Sequence, residues 1–205
     1  MENIRRYETV IVISPSLAEK DISNIICDVE NFIKKNKGEI IYSEKIGIID
    51  LAYKILNNTK GYFYFCEFSI DAVNIIDLDK LYRINESIVR YVIVSLCKHG
   101  IKYNEALRNS KTTVKQNIFL SKVKTVIEQK IIDFSKKMYC RFKRFGIKYV
   151  DYKNVNFLIH FLNPQGKILP RRLTGNTLKY QKKVATAIKR ARHLSILPFV
   201  CDNLK

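Results

Sequence analysis

The feature that most constrains this chain is the uneven placement of its charge. Residues 1–110 hold 15 basic and 15 acidic side chains and net zero. Residues 111–205 hold 22 basic and 4 acidic side chains, so they carry the whole formal charge of +18. A neutral part followed by a strongly cationic part predicts two modules with different partners, the second of them a polyanion. A length of 205 residues accommodates one large domain or two small ones, and 47% apolar content supplies buried cores. No run of about 18 apolar residues is present, so nothing is expected to span a membrane, and Ala185, Ala187 and Ala191 leave the last helix too small an apolar face for a membrane partner. The first residues, Met1 to Glu8, lack the apolar stretch of a signal peptide. Cys27, Cys66, Cys97, Cys140 and Cys201 are odd in number and scattered, so reduced thiols and a cytoplasmic setting are expected.

In the neutral half, Tyr7–Ile13 alternates β-branched residues and reads as a strand. Ser16 followed by Glu19 has the spacing of a capping box, and Ile22, Ile25, Ile26, Val29, Phe32 and Ile33 recur at helical intervals. Gly38 is the expected left-handed cap of that helix. An extended stretch from Ile40 to Tyr53 and another from Gly61 to Phe68 follow. Asp71 heads a second helix bearing Ile75, Leu78, Leu81 and Tyr82, and Val89–Val94 is a fourth strand. The order β-α-β-β-α-β predicts a ferredoxin-like unit with an antiparallel four-stranded sheet.

The third strand is apolar or aromatic on both faces, and helices cover only one. The other face needs cover from a partner or remains an exposed aromatic surface. Lys60–Glu67, KGYFYFCE, approaches the signature of RNA-recognition modules but departs from it at Phe63 and Glu67. These aromatics are therefore read as core and interface residues. Arg6-Tyr7-Glu8-Thr9, Ile13-Ser14-Pro15-Ser16-Leu17, Leu51-Ala52-Tyr53-Lys54-Ile55, Gly61-Tyr62-Phe63 and Asn85–Tyr91 occur in this order. Over about residues 4–96 this set resembles bacterial small-subunit ribosomal protein six.

Three segments are expected: a ferredoxin-like domain over 1–96, a linker over 97–136, and a small basic all-α domain over 137–205. In the linker, residues 98–117 are polar and mixed. From about 115 onward Ile118, Val123, Ile127, Ile131 and Phe134 predict an amphipathic helix.

The cationic half opens on Met138–Tyr149, in which Arg141, Lys143, Arg144 and Lys148 alternate with aromatic rings. Cations neutralise phosphates, and aromatic faces stack on bases or anchor a segment in protein. Asp151 is the expected cap of a helix with Val155, Leu158, Ile159 and Leu162 as its stripe. Gly166–Gly175 is a basic loop with Lys167, Arg171 and Arg172, expected to feed a helix start suited to phosphate. A last helix over about Asn176–His193 places Lys179, Lys182, Lys183, Lys189 and Arg190 within roughly 120° of one another, with Gln181, Val184, Ile188 and Ala191 opposite. Arg192 extends the basic run.

Tyr139-Cys140-Arg141-Phe142, Lys148–Lys153, Gly166–Gly175, Ala187–Arg192 and Leu197-Pro198-Phe199 together resemble bacterial small-subunit ribosomal protein eighteen, over about residues 136–200. The two resemblances imply a natural fusion of neighbours on the platform of the small subunit. They imply an architectural protein of the small ribosomal subunit, in the bacterial cytoplasm or, alternatively, an organelle. Its expected partners are the central domain of small-subunit ribosomal RNA and neighbouring small-subunit ribosomal proteins. Intramolecular docking of the two halves is expected as well. Binding to a messenger leader, or free RNA binding, are the alternatives the same surface allows.

The RNA-binding set read from the sequence is Arg141, Lys143, Arg144, Lys148, Lys167, Arg171, Arg172, Lys179, Lys182, Lys183, Lys189, Arg190 and Arg192. No nucleophile–base pair, carboxylate pair or Walker-type loop is apparent, so no enzymatic activity and no cofactor are expected. Cys140, His160, His193 and Cys201 lack the short spacing of a zinc site, and no metal is expected.

Overall fold

The computed structural model describes residues 4–111 and 139–201. The predicted helix beyond residue 115 falls outside them. The chain divides into two compact units, Met1–Lys98 and His99–Lys205.

The first unit contains β1 (Ile4–Ile13), α1 (Glu19–Lys35), β2 (Glu39–Ile55), β3 (Asn58–Asp71), α2 (Ile75–Ile84) and β4 (Ile88–Ser95). All pairings are antiparallel and the sheet order is β2-β3-β1-β4, the ferredoxin-like arrangement expected. Strand alternation puts Tyr7, Ile11 and Ile13 of β1 on one face with Tyr64, Cys66, Phe68 and Ile70 of β3. That face buries Ile22, Ile25, Ile26, Val29 and Ile33 of α1 and Leu78 and Tyr82 of α2. Each fully buried Ile or Leu contributes about 1.5–3 kcal/mol, so this layer is the main source of the unit's stability. The other face carries Val10, Val12, Phe63, Phe65 and Val94, with Glu8 and Glu67 among them. Phe63 and Phe65 are 1% and 7% exposed, so this is not an open aromatic surface. Glu67 lies 2.7 Å from the Arg6 guanidinium.

Both ends of α1 differ from the sequence reading. The Ser16–Glu19 capping box does not form. Ala18 is the N-cap, without a side-chain bond, and the Ser16 hydroxyl pairs instead with the Ser14 hydroxyl at 2.8 Å. A short hydroxyl side chain has local partners that compete with a cap. At the other end Lys37, not Gly38, takes the left-handed conformation, at φ 57°. The Gly38 N–H donates to the Ile33 carbonyl at 2.8 Å and the Lys37 N–H to the Lys34 carbonyl at 3.1 Å, which makes a Schellman motif. Glycine is needed at 38 for space. A Cβ there would lie 2.8–2.9 Å from Ile33 atoms and the Ser69 carbonyl. Asp71 does cap, accepting from the Val73 N–H at 3.4 Å in the 3₁₀ turn that leads into α2.

Residues 98–111, read from sequence as polar linker, form α3 (Lys98–Lys111). From His99 onward it belongs to the second unit. There the Tyr103 ring lies 5.4 Å from that of Tyr149. The remaining elements of this unit are short helices around one long one: α4 (Arg141–Arg144), α5 (Val155–Ile159), α6 (Arg171–Thr174) and α7 (Leu178–His193). The core gathers Phe142, Tyr152, Val155, Leu158, Phe161, Val184, Ala187, Ile188, Ala191, Leu194 and Leu197. The cap of α5 is Asn154, whose side chain accepts from the Phe157 N–H at 3.1 Å, and not Asp151. Asp151 instead accepts from the Lys153 N–H at 3.0 Å and pairs with the Lys153 ammonium at 3.2 Å. Among the described residues no helix is long and apolar enough to cross a membrane.

Candidate nucleic-acid interface

The candidate interface is built on α7. Its packing face is Val184, Ala187, Ile188 and Ala191, all buried, in the phase the sequence predicts. Lys179, Lys182 and Lys189 are exposed, and Lys183 and Arg190 are half-buried. Gln181, placed on the packing side, is half-buried, and its Nε2 donates to the Leu169 carbonyl at 2.8 Å.

Four contacts tie the other cationic segments to this helix. First, the Phe142 ring stacks on Tyr180 with centroids 4.7 Å apart and planes at 5°, which seats α4 beside the first turn of α7. Arg141, Lys143 and Arg144 are thereby held at the surface, all exposed. Second, the Lys183 ammonium donates to the Lys148 carbonyl at 2.9 Å, which fixes the backbone that presents the Lys148 side chain. Third, the Gln181 bond to Leu169 holds the backbone two residues before Arg171 and Arg172. Fourth, the half-buried Arg192 guanidinium donates to the Gly166 carbonyl, beside Lys167.

Arg171, Arg172 and Lys167 are exposed. The basic loop does not feed the long helix directly. The arginines head α6, a single turn closed by Gly175 at φ 69°, and α7 begins three residues later. Phosphate attraction at this point therefore rests on the two guanidinium groups.

The sequence-derived residues thus divide into two kinds. Arg141, Lys143, Arg144, Lys148, Lys167, Arg171, Arg172, Lys179, Lys182 and Lys189 present exposed charge. Lys183 and Arg192 use their charged ends on backbone carbonyls, and Arg190 is half-buried. Sequence reasoning missed the anchoring roles of Tyr180 and Gln181. The signal available was their place on the helix flank next to the packing stripe.

The electrostatics are one-sided. Between residues 139 and 201 there are 14 Lys and Arg, and Asp151 is the only carboxylate. That carboxylate is buried and paired with Lys153, so it offsets no exposed cation. Unscreened positive charge at this density attracts a polyanion and releases its counterions on binding. Cys140 sits at the N-cap of α4. Burial opposes its ionisation, but the N–H groups of Thr177, Lys143 and Phe142 outweigh that and hold the thiol below its ordinary value. No group of three or more His, Cys, Asp or Glu suited to a metal occurs among the described residues.

Comparison with known proteins places these units. Residues 146–197 match the family model of Ribosomal protein S18, and residues 6–95 match that of Ribosomal protein S6. The first match covers Lys148 through Arg192 and begins after α4. The small ribosomal subunit protein bS18 of Phocaeicola vulgatus is 64% identical over 74 residues, which is 36% of this chain and 83% of that protein. Its counterpart in Flavobacterium johnsoniae is 67% identical over 69 residues, 34% of this chain and 70% of that protein. The crystal structure of ribosomal protein S6 from Thermotoga maritima aligns over 53% of this chain and 98% of its own, with 25% identity and a TM-score of 0.45.

Proposed function

Because the chain belongs to the ribosomal protein S18 family in its C-terminal part and joins to it a ribosomal protein S6 domain, and is therefore a small-subunit ribosomal protein and not an enzyme, we propose that it binds the central domain of small-subunit ribosomal RNA on the platform and stabilises its folded junction. The observation that carries this reading is the set of ten exposed cations organised around α7, with the one carboxylate between residues 139 and 201, Asp151, buried. Where RNA helices converge, phosphates repel one another. Fixed ammonium and guanidinium groups relieve that repulsion without the entropy cost of condensing mobile ions.

The two fused halves act, in this reading, as a pre-paired heterodimer. Support comes from the presence of both family domains on one chain. Covalent linkage raises the effective concentration of one half for the other to about the mM range. If a protease site is placed between the units and cut, the halves are expected to co-elute on a sizing column at micromolar concentration without RNA. Separation would contradict the pairing.

RNA binding is tested by titrating the full chain onto a transcript of the central domain at increasing salt. Neutralising five to eight phosphates gives a slope of log affinity against log salt of about −4 to −7. A flat response would overturn the reading.

A further inference from the structure

Met138–Tyr149 interleaves cations with aromatics, and the structure sorts the first three of those aromatics into two kinds. Phe142 is completely buried, stacked between Tyr180 and Phe161 at 4.7 and 5.5 Å. It is the anchor of the segment. Tyr139 and Phe145, on either side of it, are 51% and 66% exposed. Arg144 links them: its guanidinium carbon lies 4.6 Å from the Tyr139 ring centre and 5.9 Å from that of Phe145. The backbone holds this arrangement. The Gly146 N–H donates to the Lys143 carbonyl at 3.4 Å and the Ile147 N–H to the Phe142 carbonyl at 2.9 Å. Gly146 takes φ 63°, so the chain turns away directly after Phe145 and leaves its ring outside.

We propose that Tyr139, Arg144 and Phe145 form a stacking site for an unpaired RNA base. The proposal rests on the RNA-binding reading above and adds a contact to the base itself. Two exposed rings with a guanidinium between them offer flat, electron-rich and cationic surfaces, the chemistry on which nucleobases stack. Helical RNA hides its base faces, so the ligand is a nucleotide splayed out of a loop, bulge or end. The surroundings select RNA over an apolar protein surface. Arg141, Lys143 and Lys148 are exposed around the site, and residues 139–150 contain no carboxylate. Those cations hold the flanking phosphates while the rings hold the base.

The test uses the full chain and two short probes of equal length and phosphate count, an oligoadenylate and an abasic oligomer. The wild-type protein is expected to bind the oligoadenylate about tenfold more tightly, as one stacked base commonly provides. Tyr139→Leu with Phe145→Leu keeps apolar bulk on exposed positions and leaves the Phe142 anchor in place, so the helical circular dichroism should not change. This variant should lose the base preference and keep the salt slope. Tyr139→Trp should keep the preference. If the leucine variant retains it, or the wild type binds both probes equally with a steep salt slope, the stacking site is overturned while the electrostatic reading stands. If the wild type binds neither probe in a salt-dependent way, both fail. If the leucine variant keeps its RNA behaviour but is lost from assembled small subunits, the rings belong to a protein contact and the proposal is wrong.

Discussion

The ring of Phe142 lies flat on that of Tyr180, 4.7 Å between centroids and 5° from parallel, and this one stack connects the four-residue cationic helix α4 to α7, the longest helix of the second unit. Phe142 also meets Phe157 edge-on at 5.6 Å and Phe161 face-on at 5.5 Å. It is thus the centre of a four-ring cluster.

Phe142→Ala should destabilise the second unit by about 3–5 kcal/mol, the usual cost of emptying a buried aromatic position. Tyr180→Leu removes the stack but fills most of the space, and should cost about 0.5–1.5 kcal/mol. Urea denaturation followed by circular dichroism measures both. Equal effects would mean that the stack, not the volume, holds α4 in place.

The cationic helix gives a second contrast. Lys182→Glu with Lys189→Glu changes two exposed side chains, so helicity should persist while the salt slope for central-domain RNA becomes shallower by about 2. Ile188→Glu puts a carboxylate at a fully buried position and should unfold the unit. Fluorescence anisotropy and thermal melts separate the two outcomes. The reverse pattern would mean that the face assigned to packing is the one facing RNA.

The end of α1 supplies a third. Gly38→Ala places a methyl group 2.8–2.9 Å from Ile33 and from the Ser69 carbonyl, two of the three near atoms being backbone. A loss of about 1–3 kcal/mol is expected. Lys37→Gly relieves a left-handed lysine at φ 57° and should be neutral or stabilising by up to about 1 kcal/mol. Thermal melts of the two variants check the pair.

The alkaline stability of the first unit depends on Cys66. Burial between the sheet and its helices pushes its thiol up to about 12. The Tyr64 hydroxyl lowers it somewhat, and Glu30 and Glu67 raise it. The folded value exceeds the ordinary 9.0, so the folded state keeps a proton that the unfolded state loses between these limits. Stability is therefore fully present below about pH 9 and falls as the pH rises towards 12, by at most about 1.4 kcal/mol per pH unit from this group. Tyr64 and Tyr82, both raised first of all by burial, act in the same direction at the upper end. Cys66→Ala should flatten the decline between pH 9 and 10 in denaturant titrations. An unchanged slope would contradict the assignment.

Much of this was legible in the sequence. The strand order, the buried face of α1 and the phase of α7 follow from the spacing of Ile, Val and Ala, because burial has a fixed period in helix and strand. The cationic set followed from charge with so few acids to offset it. What spacing could not supply was the choice among local partners. Ser16 bonds to Ser14 instead of capping α1, and Asn154 caps α5 while Asp151 turns to Lys153. Short polar side chains reach several backbone groups at similar cost, and packing decides between them. Nor does a charge pattern say which cations are free. Lys183 and Arg192 carry the same formal charge as Lys182, yet the fold spends their donors on the carbonyls of Lys148 and Gly166. The helix over 98–111 was hidden for another reason. Its weakly patterned, polar sequence gives little periodic signal, and Tyr103 finds its partner Tyr149 more than forty residues away.

The central claim is that this chain is a resident architectural component of the small ribosomal subunit, held there by charge. Sucrose-gradient sedimentation of cell lysate, with the chain followed by immunoblot at low salt and then at increasing salt, tests it most directly. The account predicts comigration with the small subunit in amounts equal to other subunit proteins, release at high salt, and earlier release of the Lys182→Glu/Lys189→Glu variant. A chain that remains at the top of the gradient at low salt would contradict it.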